Sequence, residues 1–317
     1  MCSMSRQPSP LILSPARPWY LPEMGRLWAI LVALMVVSQT QAGPTVVDDL
    51  GNKVSLQQPA KRIISLAPHL TEIVYALGGG EQMTATVAWS DFPEEAKALP
   101  VVASNNKINY ELLMAYQPDL VLAWLSGNGE GIIGRLKSLG LNVYVNKPRH
   151  LQDIPDTLEK LGVLLGREAE AKRATGEFQA ALSELSRQYG QSTEVDVYYQ
   201  IWQAPLMTFG GSHLVSDVLT LCGGNNVFTQ TAGLVPKLGV ESVLAVDPDV
   251  IIIGQYTALE TAYAYWRQWP ELSAVKHGRI YNVDPYLLHR HTPRIVQGAK
   301  QLCEAIDQGR LLSRKTP

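Results

Sequence analysis

Three tryptophans, Trp89, Trp124 and Trp202, stand at the ends of apolar, β-branched runs. In open α/β sheets ligands bind beyond the carboxyl ends of the strands. An indole there offers a large rigid apolar face with one N–H donor, suited to a bulky flat ligand. The bland alternative is that these rings only cover a core. Near the C-terminus Arg290 and Arg294 share a segment with His289 and His291, and His69 follows the first apolar run. An arginine at a cleft edge can hold a carboxylate, an amide oxygen or a phosphate, or can be engaged in a surface ion pair. The histidines lack a Cys or His partner at helical spacing, so they read as exposed or ligand-contacting side chains and no metal site is expected. Gly129, Gly131 and Gly134 complete a Gly-x-Gly-x-x-Gly pattern, which in the right setting binds a dinucleotide. Here the glycines begin well past the strand end at Trp124, and the next strand closes Val143-Tyr-Val-Asn-Lys147 without a ribose-binding acid. Gly210-Gly-Ser-His-Leu214 lacks the last glycine of a nucleophile elbow, and there is no Walker loop. A nucleotide-dependent oxidoreductase is therefore a distant reading, and no enzyme activity or cofactor is expected.

A second pattern concerns acids. The frame Glu-x-x-x-Ala-x-x-Pro-Asp followed by an apolar run occurs at Glu111 and again at Glu241. Each copy reads as a short helix, stopped before proline and turned by Pro-Asp into a buried strand. A carboxylate in the first turn suits the helix dipole, so each glutamate has a local reason to be there. The duplication implies two similar α/β lobes with one acid at an equivalent place in each; two copies exclude a solenoid.

The elements around these residues alternate strand and helix, which predicts a mostly parallel sheet in each lobe. Residues 43–150 form the expected first lobe, with a small hairpin over 46–59, strands at 62–67, 83–89, 119–124 and 141–145, and helices at 71–77, 111–116 and 131–139. Residues 151–190 carry no strand signal and read as a long, stiff amphipathic connector, most regular over 168–189. Residues 191–317 form the second lobe, with strands at 195–202, 250–253 and 280–283 and helices at 214–222, 241–246, 261–268 and 293–308. A helical connector argues against a large hinge motion. The fold class expected is α/β, two Rossmann-like lobes on a helical connector with a ligand cleft between them.

The first 42 residues read as a leader. From Met24, the expected initiator, Met-Gly-Arg precedes eleven apolar residues, Leu27 to Val37, and a small-residue exit at Thr40 and Ala42. Eleven residues are too few to span a bilayer, which needs about 20. Export by a signal cleaved after Ala42 is expected, placing a soluble chain in the periplasm. The leader holds Arg6, Arg17, Arg26 and Glu23, so of 27 basic and 29 acidic residues 24 and 28 remain, a net charge of −4. No basic patch or run appears, and nucleic acid is not an expected partner. Of three cysteines, Cys222 and Cys303 remain. In an oxidising compartment the default is one disulfide, two free thiols being the alternative.

Export, two lobes, a helical connector and paired glutamates resemble the substrate-binding proteins of ABC importers. The likeness is closer in Arg62-Ile-Ile-Ser-Leu-Ala-Pro68, Thr71-Glu72, Trp89-Ser-Asp-Phe-Pro93, Pro118-Asp-Leu-Val-Leu-Ala-Trp124, Gly127-Asn128, Cys222-Gly-Gly-Asn-Asn-Val-Phe228 and Pro293-Arg294. These residues resemble the periplasmic cobalamin-binding branch, over about residues 60 to 308. That resemblance implies cobalamin as a transported ligand, a monomer, and an ABC permease dimer in the inner membrane met through Glu111 and Glu241. It implies the disulfide Cys222–Cys303. It places Trp89 and Trp124 against the corrin and Arg290 at a polar contact near the last strand.

Some positions depart from that pattern. Asn105 stands where the family has a tryptophan over one corrin face, Met207 replaces a cleft aromatic, Val235 replaces a second tryptophan and Tyr286 replaces an aspartate. Trp202 would restore part of the aromatic surface, and Met207 can pack on a large ring. The ligand-contact set expected is Trp89, Trp124, Trp202, Met207, Tyr286 and Arg290. A ferric siderophore or haem is the alternative ligand within the same fold.

Overall fold

Strands buried on both faces form the centre of each lobe. A computed structural model describes residues 43–104, 107–256 and 259–315; the leader, its cleavage position and Asn105 lie outside the described residues. In the first lobe Ile63–Ser65 has Met83–Val87 and then Val101–Ser104 on one side, Leu120–Trp124 and then Val143–Asn146 on the other, all parallel. The short edge Lys107–Ile108 runs antiparallel. In the second lobe the order is Gly224–Asn226, Val195–Gln200, Val250–Ile253, Ile280–Asn282, wholly parallel.

Successive strand residues face opposite sides of a sheet. Leu120, Leu122 and Tyr144 therefore enter one core, and Val121, Ala123, Val143 and Val145 another. In the second lobe Val197, Tyr199, Val250 and Ile252 enter the first of these cores, while Tyr198, Ile251 and Ile253 pack around Trp266. One apolar core is thus continuous from the first sheet to the second. Both faces of each sheet are covered, which is why these strands read as unbroken apolar runs.

The internal repeat has a structural counterpart. The helices Tyr110–Ala115 and Val240–Val246 each carry their glutamate in the first turn. Each is followed by a left-handed non-glycine residue immediately before proline, Gln117 (φ 47°) and Asp247 (φ 43°). The next aspartate then caps the start of the neighbouring strand. Asp119 accepts from the Lys61 and Arg62 amides at 3.0 Å, and Asp249 from the Asp196 amide at 3.2 Å. The Pro-Asp pair thereby fixes strand register in both lobes.

The connecting segment is two helices rather than one stiff stretch. Asp153–Leu165 ends at Gly166, which is left-handed (φ 67°), and Glu168–Tyr189 begins two residues on. They fold back on each other closely enough that a Cβ on Gly162 would come within 2.5 Å of the Ala171 methyl. The longer helix buries Ala171, Thr175, Phe178, Leu185 and Tyr189 in the shared core, a stripe at helical spacing. Cys222 and Cys303, 81 residues apart, are joined by a buried disulfide. It ties the end of Leu214–Leu221 to the C-terminal helix Ile295–Lys315. Closing a loop of that size contributes about 4 kcal/mol in the chain-entropy account. No described helix is long and apolar enough to cross a membrane.

Candidate ligand-binding site

The carboxyl ends of strands from both sheets converge on one cavity of about 490 Å³. From the first lobe Pro68, His69, Trp89 and Trp124 line it; from the second, Tyr256, Tyr286, His289, Arg290 and His291. A smaller cavity of about 250 Å³ shares Pro68, Trp89 and Trp124 and extends into the first lobe.

Trp124 ends its strand with the ring folded over Gly127, where a Cβ would lie 2.2 Å from a ring carbon. Asn128 accepts the Trp124 amide at 2.7 Å and donates to the Leu66 carbonyl at 3.1 Å, fixing the strand end to its neighbour. The His69 ring meets the indole edge-on at 5.3 Å. The indole Nε1 is buried and has no hydrogen-bond partner among the described residues. Trp89 is the opposite case. The residue is 72% exposed and its backbone is left-handed, φ 70°.

The glycine pattern does not form a phosphate loop. Leu125–Ser138 is helical on either side of a kink at Gly129 (φ 77°), and Gly131 and Gly134 lie inside the helix. No backbone cradle opens at a strand end, and the dinucleotide reading loses its geometry.

The histidines are interior groups. His69 and His291 are buried. Burial, partly offset by a 2.9 Å hydrogen bond to Asn146, holds His69 down at about 4. Burial takes His289 to about 3, and His291 likewise to about 3 with His69 and His289 adding to the effect. His213, stacked on Phe209 at 3.6 Å, is also held well below the usual range, first by burial. All four are neutral at neutral pH. Tyr256, pushed up to about 12 mainly by burial, is neutral as well. Among the described residues no three His, Cys, Asp or Glu side chains are grouped to hold a metal ion.

Among the described lining residues the one charged side chain is Arg290, and it is already balanced. Glu72, 3% exposed in the first lobe, meets Arg290 Nη1 at 2.5 Å and both Arg294 Nε and Nη2 at 2.9 Å. Asp91 meets the same Arg290 Nη1 at 2.7 Å. Burial works against the Arg290 charge, but Asp91 and Glu72 outweigh it and the pKa is raised. The wall is thus aromatic and uncharged, suited to a large flat conjugated ligand and poorly suited to a polyanion.

Of the residues expected to meet a ligand, Trp89, Trp124, Tyr286 and Arg290 come together here. Trp202 and Met207 do not line this cavity. They face each other in an antiparallel ribbon, Trp202–Gln203 with Leu206–Met207, whose third strand is Lys237–Leu238. The Trp202 indole donates to the Ala204 carbonyl at 3.0 Å. Val235 is exposed just before that third strand. Tyr256 is not marked by the sequence, and Glu72 is marked there only within the Thr71-Glu72 motif, with no role at the site. The available signal for Glu72 was an acid inside the apolar run Leu70-Thr-Glu-Ile-Val74, since a buried charge needs a partner. Glu111 and Glu241 are both exposed, and neither has an ion-pair partner among the described residues. They lie on the short repeat helices, away from the cavity lining.

Two facing α/β lobes on a helical support, with a cleft at the strand ends, define a solute-binding protein. The chain belongs to the periplasmic binding protein family, whose profile matches residues 63–287. A vitamin B12-binding protein of Vibrio cholerae is 35% identical over 246 residues, 77% of this chain and 88% of the relative. One of Yersinia pestis is 34% identical over 248 residues, 78% of this chain and 86% of the relative. The crystal structure of the periplasmic vitamin B12-binding protein BtuF of Vibrio cholerae superposes with a TM-score of 0.73 at 34% identity, covering 80% of this chain and 98% of that one. A haem-binding periplasmic protein, BhuT, shares the fold at 21% identity and a TM-score of 0.68.

Proposed function

We propose that this chain captures cobalamin in the periplasm and hands it to an ABC permease dimer. The observation that carries the reading is the cleft wall: Trp89 and Trp124 beside Tyr256 and Tyr286, with neutral imidazoles and a neutralised arginine. A corrin is large, flat and edged with uncharged amides, which such a wall accepts. The 33–35% identity to vitamin B12-binding proteins supports the same ligand. Tyr286 and Arg290 stand at the second-lobe side of the ligand, and Trp202 and Met207 form a rim beyond the end of Val195–Gln200.

Delivery rests on Glu111 and Glu241, one exposed acid at the same turn of equivalent helices in two lobes. That arrangement matches a partner with two-fold symmetry and two basic sockets. Charge complementarity of this kind sets orientation and association rate more than affinity. The chain reaches the periplasm by a signal in residues 1–42 cleaved after Ala42. It works as a monomer of two lobes, residues 43–150 and 191–317, on the connector 151–190. Cobalamin is cargo rather than a cofactor.

The rival ligands differ in what they demand. A ferric siderophore calls for free arginines, whereas Arg290 and Arg294 both pair with Glu72. Haem calls for an axial donor. The Nε2 atoms of His69 and His289 are taken by Asn146 and the Tyr199 hydroxyl, whereas the buried His291 Nε2 has no partner among the described residues, so haem is the rival that the binding test must separate. The test is gel filtration of residues 43–317 with equimolar cyanocobalamin, a ferric hydroxamate and haemin, read by absorbance. Co-elution of the corrinoid alone is expected; co-elution of only an iron chelate overturns the ligand.

A further inference from the structure

Trp89 is mostly exposed, so its own packing does not place it; its backbone must. That backbone is left-handed at φ 70°, which a bulky non-glycine residue keeps only where its surroundings impose it. The first lobe holds the next residue, Ser90, whose hydroxyl accepts from Thr86 at 2.8 Å and whose amide donates to the Val87 carbonyl, and the rest of the surroundings come from the other lobe. Arg290 Nη2 donates to the Trp89 carbonyl at 3.1 Å, and Arg290 Nη1 holds Asp91 at 2.7 Å. The Arg294 guanidinium lies 3.5 Å from the centre of the Phe92 ring. Both arginines are seated on Glu72 of the first lobe.

Two carboxylates and two guanidinium groups make a neutral cluster. Buried ion pairs of this sort add little net stability over apolar residues, whereas they can select one geometry. The geometry selected here is the course of the segment Trp89–Phe92.

We infer that Arg290 and Arg294 are positioning residues. Anchored by Glu72, they hold the Trp89–Phe92 segment so that the Trp89 indole stands over the cleft, and Arg290 acts on the ligand through Trp89 rather than by touching it. This rests on the cleft being the ligand site, and it assigns Arg290 a different role from a direct polar contact.

The test is a double-mutant cycle on cyanocobalamin affinity with Arg290→Met and Trp89→Ala. A ligand-free arm uses 5-fluorotryptophan protein, with the Trp89 fluorine resonance assigned through Trp89→Phe. Expected is a loss of roughly tenfold or more from Arg290→Met with Trp89 present and less than twofold with Trp89→Ala, a coupling within the range for contacting residues. The Trp89 resonance should shift or broaden in unliganded Arg290→Met. Equal losses in both backgrounds, or an unmoved resonance, overturn the inference. If Arg290→Met does not fold, Asp91→Asn, at a partner whose side chain is 39% exposed, takes its place in both arms. Should the unmutated protein bind no corrinoid, the ligand reading fails and the fluorine arm alone decides the positioning role.

Discussion

Glu72 and Arg290, 218 residues apart, meet at 2.5 Å across the two lobes, with Arg294 on the second carboxylate oxygen. The contact joins the helix Pro68–Ala76 of the first lobe to the segment before the C-terminal helix. Removing the carboxylate leaves two partly buried guanidinium groups, one with only Asp91 to balance it. Breaking a buried ion pair from one side costs about 3–5 kcal/mol. Glu72→Ala is expected to lower unfolding free energy in urea by about that amount. A loss under about 1 kcal/mol would mean that the cluster is solvated and not structural.

Acid should weaken the fold through its neutral histidines. An imidazole titrates near 6.5 when unfolded, whereas His69 is held at about 4 and His289 and His291 at about 3. Between those values the unfolded chain binds more protons than the folded one. Stability from these groups is therefore full above about 6.5 and is lost as pH falls toward 3 to 4. Each histidine contributes up to about 1.4 kcal/mol per pH unit in that window. Urea midpoints at pH 7.5, 6.5, 5.5 and 5 should decline below 6.5. A flat profile would show that the rings are protonated in place or reach solvent.

Trp124 and Gly127 act as one unit, because the ring occupies the space a Cβ would take. Trp124→Ala should weaken cobalamin binding by 1 kcal/mol or more, as for a buried aromatic anchor. Gly127→Ala should do nearly the same by displacing the ring, with the chain still folded by circular dichroism. An affinity unchanged in Trp124→Ala removes that ring from the site.

Glu111 and Glu241 should separate capture from delivery. With both changed to Gln, cobalamin affinity in solution is expected to stay within twofold, while uptake through the permease in reconstituted vesicles falls severalfold and becomes less salt-sensitive. Uptake at the unmutated rate would show that docking uses another surface.

Much of this architecture is legible in the chain because burial on both sheet faces leaves unbroken apolar runs, as at Leu120–Trp124 and Val250–Ile253. The Pro-Asp repeat was legible for the same reason that it is structural: the aspartates cap neighbouring strands. Short elements carry less signal. Gly224–Asn226 is a strand with no apolar side chain, held by pairing with Val195–Val197 and by the Asn225 and Asn226 side-chain amides, which donate to Asp196, Phe209 and Ser216. The break at Gly166 turned one expected connector into two helices because a single left-handed glycine suffices to reverse the chain. In the site, the indoles were visible at strand ends. The pairing of Arg290 with Glu72 was not, since it joins distant segments and depends on how the lobes face each other.

The most direct test of the central claim is calorimetric titration of the oxidised protein, residues 43–317, with cyanocobalamin, beside a ferric siderophore. Tight one-to-one binding of the corrinoid alone is the expected result, and would show that the departures at Met207, Val235 and Tyr286 do not prevent corrinoid binding. Heat from the siderophore alone, or from neither ligand, would contradict the assignment of cobalamin to this cleft.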